Sequence, residues 1–380
     1  MTGRTPIQKT GTQKTGAKSA SPLKFTSHRR TDPVAAADRT KLLADPGFGR
    51  VFTDHMAIIR YTEGKGWHSA EISARKPLML DPAAAVLHYA QEIFEGLKAY
   101  RIADGSLAMF RPDANASRFQ QSAKRLAMPE LPSDLFITSI RELVNIDRDW
   151  FPTIEGGSLY IRPFMIATEA FMGVRPAHEY LYLVILSPVG GYFKSGSPAV
   201  SIWVSQDYTR AAPGGTGAAK CGGNYASSLV PFAEASKHGC DQVLFLDAAE
   251  HRWLEELGGM NVFLVFNDGT LLTPPLGTIL DGITRNSLMT LARAEGLTVR
   301  EQPYAIDQMR ADAQSGHLTE AFACGTAAVV APIGRVASPD GEFKIGAGGP
   351  GQTTTRLKQK LVDIQRGAAP DPHGWVYKLG

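Results

Sequence analysis

The chain has 380 residues, 43% hydrophobic and 20% charged, with 38 glycines and 24 prolines, proportions that exclude a coiled coil, a collagen-like repeat or wholesale disorder. At about 150 residues per domain this length predicts two or three domains, and no apolar run approaches the roughly 18 residues of a membrane span. The net charge of +3 divides unevenly, because residues 1–30 hold seven Lys and Arg and no acid, which leaves 33 basic against 37 acidic side chains in the rest of the chain.

Residues 1–44 read as a basic N-terminal extension without order. The segment repeats Gln8-Lys9-Thr10-Gly11 as Gln13-Lys14-Thr15-Gly16, and it has too few large apolar side chains to offset the entropy of ordering. Its acid-poor character also suits a mitochondrial transit peptide, or an arm that touches nucleic acid. The negative body gives such an arm no basic face to continue it, so no nucleic-acid partner is expected. No secretory apolar core follows Met1. The cysteines, Cys221, Cys240 and Cys324, are odd in number and form no CxxC, which suits a reducing, cytoplasmic compartment.

A globular pattern begins near residue 45. Met56 to Tyr61 and Trp67 to Ile72 flank Glu63-Gly64-Lys65-Gly66, a hairpin signal. Asp81 and Pro82 then predict a helix running to Phe94 and stopping before Gly96. A second hairpin is expected around Asp104-Gly105, followed by helices over 115–127 and 134–150 and strands over 158–167 and 180–186. Residues 191–198 are Gly-, Ser- and Pro-rich and read as an interdomain linker. It separates a small α+β domain, 45–190, from a large one, 199–380. In the second, short strands over 200–204, 242–247, 261–266 and 297–301 alternate with helices over 227–237 and 285–294. A last helix, 354–366, places Leu357, Leu361 and Ile364 on one face. Hairpins mixed with helices in this way argue for an α+β fold.

The densest unusual segment is Gly214-Gly215-Thr216-Gly217-Ala218-Ala219-Lys220-Cys221-Gly222-Gly223-Asn224-Tyr225. A phosphate loop of the G-x-x-x-x-G-K-[ST] type fails here twice, because Ala219 precedes the lysine and Cys221 follows it. A lone lysine among glycines suits imine formation with an aldehyde cofactor, since a desolvated amine loses its proton readily. The bland alternative is a flexible surface loop. Pyridoxal 5'-phosphate requires further groups: a carboxylate for the pyridine nitrogen, and backbone N–H donors, a hydroxyl and a cation for the phosphate. The segments Glu255-Glu256-Leu257-Gly258-Gly259-Met260-Asn261, Gly282-Ile283-Thr284 and Gly325-Thr326-Ala327-Ala328, together with Arg118, offer these.

Several ordered stretches now coincide: Phe94-Glu95-Gly96-Leu97-Lys98-Ala99-Tyr100, Phe110-Arg111-Pro112 with Asn115 and Arg118, Tyr160-Ile161-Arg162-Pro163, and the lysine, Glu256 and Thr326 segments. Over roughly residues 45–380 the chain resembles the branched-chain amino acid aminotransferases, two-domain pyridoxal-phosphate enzymes of fold type IV. The resemblance implies that Lys220 is the Schiff-base lysine and proton shuttle, Glu256 the partner of the pyridine nitrogen and Tyr225 that of the ring oxygen. Arg118, Thr326 and the N–H groups of Ile283 and Thr284 would hold the phosphate. The N–H groups of Ala327 and Ala328 would take the substrate carboxylate, and Phe48, Tyr89, Phe94, Tyr160, Arg162, Tyr192 and Met260 would wall the side-chain pocket. Core packing explains Phe48, Tyr89 and Met260 equally well, whereas Arg162 in an apolar strand needs a partner.

The resemblance further implies small-molecule substrates, namely Leu, Ile or Val and 2-oxoglutarate in a ping-pong reaction. It also implies a homodimer in which a loop around Phe171 to Arg175 closes the neighbour's pocket, and it gives no membrane partner. Some family members carry a CxxC after the Gly-Thr turn; Ala328 and Ala331 stand there, so thiol regulation at that place is not expected. A fold type IV relative, a D-amino-acid transaminase or aminodeoxychorismate lyase, is the alternative.

Overall fold

The computed structural model of the protein describes residues 23–190 and 199–379. Two mixed nine-stranded sheets organise it. The first runs Thr26–Ser27, Gly66–Ala74, His55–Thr62, Glu179–Val189, Ser158–Ala167, Leu97–Arg101, Leu107–Phe110 and Val376–Lys378, with Glu92–Phe94 paired to Ser158–Ala167. The second runs Leu254–Leu257, Gln242–Leu246, Val200–Ser205, Val329–Ser338, Leu318–Gly325, Asn261–Phe266, Thr270–Thr273 and Thr298–Glu301, with Gly341–Lys344 on the edge of Val329–Ser338. Among the described residues no helix is long and apolar enough to cross a membrane.

Side chains alternate between the faces of a strand, and this alternation decides how the sheets meet. Leu97, Ala99 and Met109 join the core beneath the helices Pro112–Arg125 and Ser133–Ile146, where Phe119 and Phe136 pack on Tyr182. Their neighbours Tyr100, Ala108 and Phe110 point the other way, into a core shared with Phe263, Phe322, Leu288 and Leu357 of the second half. This shared core fixes the two sheets together, and the candidate site opens beside it.

Three sequence expectations are corrected. The helix expected over 82–94 is only Ala85–Tyr89; Ala90 adopts a left-handed conformation at φ 48°, and Glu92–Phe94 is extended because it pairs with Phe164–Ile166. The N-terminal extension has structure from residue 23: Ala36–Ala44 is helical, and the segment before it is pinned by tertiary polar contacts. The backbone N–H of Arg30 donates to His55 Nε2 at 2.9 Å and that of Val34 to Asp54 Oδ1 at 3.1 Å, while Asp147 and Trp150 hold His55 and Asp54 from beneath. The chain end does not stay with the second sheet, since Val376–Lys378 crosses back to pair with Ala108–Phe110. The expected linker, 191–198, and Tyr192 within it lie outside the described residues.

Candidate active site

The glycine-rich segment is a stapled loop, not a loose one. Asn224 Nδ2 donates to the carbonyls of Thr216 (2.9 Å) and Ala219 (2.8 Å), and Thr216 Oγ1 donates to Asn224 Oδ1 at 2.8 Å. The backbone N–H of Lys220 donates to Ser122 Oγ at 3.0 Å, and its carbonyl accepts from the N–H of Phe94 at 2.9 Å. Glycine is required at 217, where a Cβ would run into the Thr278 carbonyl. These contacts fix the lysine backbone from both sides, and its Nζ donates to Tyr225 Oη at 2.7 Å while lying 4.9 Å from the centre of the Phe94 ring.

Glu256 is 3% exposed. Its Oε1 meets Arg210 Nη2 at 2.7 Å, and its Oε2 accepts from Asn261 Nδ2 at 3.0 Å. Burial pushes its carboxyl up to about 7, against the pull of Arg210 and Lys220. Arg210 also donates to the carbonyls of Gly217 and Thr278, so one buried guanidinium joins the lysine loop to this carboxylate.

The cationic corner is built differently. Arg118, on the helix Pro112–Arg125, forks onto Glu95 with bonds of 2.7 and 2.8 Å and sends Nη1 to the carbonyl of Asp281 at 3.0 Å. Asn115 adds a 2.7 Å bond to the same carboxylate. Next to it begins the helix Ile283–Ala294, with Gly282 as its cap. First-turn N–H groups have no intrahelical acceptor and carry the positive end of the dipole. A Cβ on Gly282 would collide with the Asn261 amide, so glycine there lets this helix start abut the Glu256 partner.

Lys220, Tyr225, Glu256, Arg210, Asn261, Arg118 and the helix start at Gly282 line one cavity of about 340 Å³, together with Phe48, Phe94, Tyr160, Arg162, Met260, Thr326 and Ala327. Arg162 Nη2 donates to Tyr160 Oη at 2.9 Å and its guanidinium stacks over the Phe94 and Tyr160 rings, yet its Nε is buried without a partner. Of the residues expected from sequence, thirteen line this cavity: Lys220, Arg118, Tyr225, Glu256, Ile283, Thr284, Thr326, Phe48, Phe94, Tyr160, Arg162, Met260 and Ala327. Ala328 is buried one residue past the lining. Tyr89 is not brought to it; at the end of the short helix it is 39% exposed. Sequence reasoning assigned no role to Arg210, Glu95 or Asn261. Only the oddity of a glutamate, Glu95, inside an apolar run signalled that it must have a partner.

The model of the family described as Amino-transferase class IV matches residues 92–336. A branched-chain-amino-acid aminotransferase of Mycolicibacterium smegmatis is 54% identical over 363 residues, 94% of this chain and 99% of that one. The chain belongs to the branched-chain-amino-acid aminotransferases of class IV. Among solved structures, the branched-chain amino acid aminotransferase from Escherichia coli superposes on this aminotransferase with a TM-score of 0.68 at 30% identity, covering 85% of this chain and 99% of that one. Another solved branched-chain amino acid aminotransferase superposes at 0.67 and 28% identity over the same shares, and its structure is known with N-(5'-phosphopyridoxyl)-L-glutamate and with 4-methylvaleric acid. The fold is therefore that of fold type IV, an α+β architecture.

Proposed function

We propose that this aminotransferase binds pyridoxal 5'-phosphate through Lys220 and moves the amino group between L-leucine, L-isoleucine or L-valine and 2-oxoglutarate, taking the two substrates in turn. One observation carries the reading: a lysine amine 2.7 Å from a tyrosine hydroxyl shares a cavity with a buried, ion-paired glutamate and a helix N-terminus beside an arginine. That donor set fits the cofactor's aldehyde, ring nitrogen, ring oxygen and phosphate. When bound, the cofactor supplies an electron sink for negative charge at the substrate α carbon.

The chain's own groups do the rest. Lys220 Nζ would take the proton from the substrate α carbon and deliver it to the carbon contributed by the cofactor's aldehyde, and the stapled loop keeps that amine in one place throughout. Tyr225 Oη orients the amine and serves the ring oxygen. Glu256, raised by burial but held by Arg210, favours a protonated nitrogen beside it, because a positive neighbour restores its charged form. Arg118, Thr326 and the N–H groups of Ile283 and Thr284 hold the phosphate. Ala327 and Ala328 present backbone N–H groups to the substrate carboxylate.

Specificity for two unlike side chains follows from the mixed wall. Phe48, Phe94, Tyr160 and Met260 bury a branched aliphatic side chain. The unpartnered Nε of Arg162 supports binding of the distal carboxylate of glutamate. Arg162→Met is expected to lower kcat/KM for the glutamate half-reaction by about 100-fold, because a buried charged pair loses one member. The leucine half-reaction changes by less than about threefold, as a neutral side chain gains nothing from the guanidinium. Single-turnover kinetics with each amino acid separates the two, and an equal loss for both substrates would sink the assignment of Arg162.

A further inference from the structure

Strand Leu97–Arg101 directs Lys98, like Tyr100, toward the second sheet. The whole side chain is 7% exposed, and its Nζ donates to the carbonyl of Ala327 at 2.8 Å. Lys98 lines a void of about 20 Å³ with Asn115, Thr284, Gly325 and Thr326. Gly325 and Thr326 line the large cavity as well, so the turn separates the two spaces. Arg118, Arg210 and Arg285 each face a glutamate. Among the described residues Lys98 has no carboxylate within 4.0 Å. Burial, then repulsion from Arg366, pushes its amine down to about 8.

An unpaired buried ammonium is costly and calls for an anion. A planar trans peptide points its C=O and N–H in opposite directions. Holding the Ala327 carbonyl toward Lys98 therefore turns the N–H of Ala328 to the cavity side of the turn. We propose that Lys98 is a positioning residue for the substrate carboxylate: it fixes the peptide whose N–H receives that carboxylate and supplies the buried positive charge that the carboxylate balances from the other side of the turn. The inference rests on the substrate placement proposed above and adds a residue outside the cavity lining.

Calorimetric titration of the cofactor-loaded protein with 4-methylvaleric acid, and separately with its uncharged amide, tests it. Lys98→Met is expected to weaken the acid about 30-fold or more, Lys98→Gln, which keeps a donor but no charge, about tenfold, and Lys98→Arg less than about threefold. Affinity for the amide stays the same in every variant, which a general loosening of the fold would not allow. Thermal midpoints and cofactor absorbance report folding, and if Lys98→Met does not fold, Lys98→Gln is judged by the same measure. Acid affinity within about twofold of the unaltered protein in either variant overturns the role of Lys98 alone. Failure of the unaltered protein to bind the acid overturns the substrate placement with it.

Discussion

Replacing Lys220 with alanine is expected to slow transamination of L-leucine by at least about 10⁴-fold, since it removes both the covalent anchor and the proton carrier. The visible absorbance band of the lysine-linked cofactor disappears with it. The loss should come without unfolding, because the loop is held by groups the substitution leaves alone. Ser122 still accepts from the backbone N–H of residue 220, Phe94 still donates to its carbonyl, and Asn224 still ties Thr216 to Ala219. An unchanged thermal midpoint beside an inactive, band-free protein is the expected pair of results. Retained turnover, or an unchanged band, would remove Lys220 from the mechanism.

The second large effect is on stability. Glu95 is fully buried, and its carboxylate meets the Arg118 guanidinium through two bonds and Asn115 through a third. Burial alone would raise its pKa; the Arg118 charge and hydrogen bonds, with help from Lys220 and Asn115, outweigh burial and hold it below the usual carboxylate range. Glu95→Gln keeps the shape but leaves Arg118 buried without its counter-charge, a change that costs about 3–5 kcal/mol. The midpoint of urea unfolding falls accordingly. Saturating cofactor recovers part of the loss, because its phosphate is the other anion proposed for Arg118.

The sign with pH follows from the direction of the shift. A depressed carboxyl contributes stability that is present above its unfolded pKa of about 4.3 and is lost as pH falls through the lower folded value. The stability gap between the parent protein and Glu95→Gln therefore narrows in acid and is fully open at neutral pH. A gap that widens as pH falls below about 4 would contradict the ion pair.

Most of the cavity wall was legible because local chemistry announces it. Glycines around a lone lysine, a glutamate between two β segments, a glycine opening a helix and an arginine in an apolar strand each carry their signal within a few residues. The groups that tune the site were not legible, because they act across the fold. Arg210 reaches Glu256 over 46 positions of sequence, and Lys98 reaches Ala327 over 229. The same reason explains the mistaken helix over 82–94. Asp81 and Pro82 do mark a turn into helical geometry, but Ile93 and Phe94 are claimed by pairing with Met165 and Phe164, which propensity cannot foresee. Residues 23–44 gain order from the body: Thr26–Ser27 pairs with Gly66–Ala74, Leu23 and Phe25 pack on the first core, and His55 and Asp54 accept from the backbone N–H groups of Arg30 and Val34. The resemblance implies a pocket place for Tyr89, but the end of its short helix leaves it at the surface.

The most direct measurement is amino-group transfer to 2-oxoglutarate by the cofactor-loaded, full-length protein, with L-leucine and D-alanine offered as separate donors. L-leucine is expected to give glutamate and the branched 2-oxo acid in equal amounts, and D-alanine to turn over at less than about one hundredth of that efficiency. Turnover of D-alanine with none of L-leucine would contradict the proposed substrate and place the chain's chemistry with its fold type IV relatives instead.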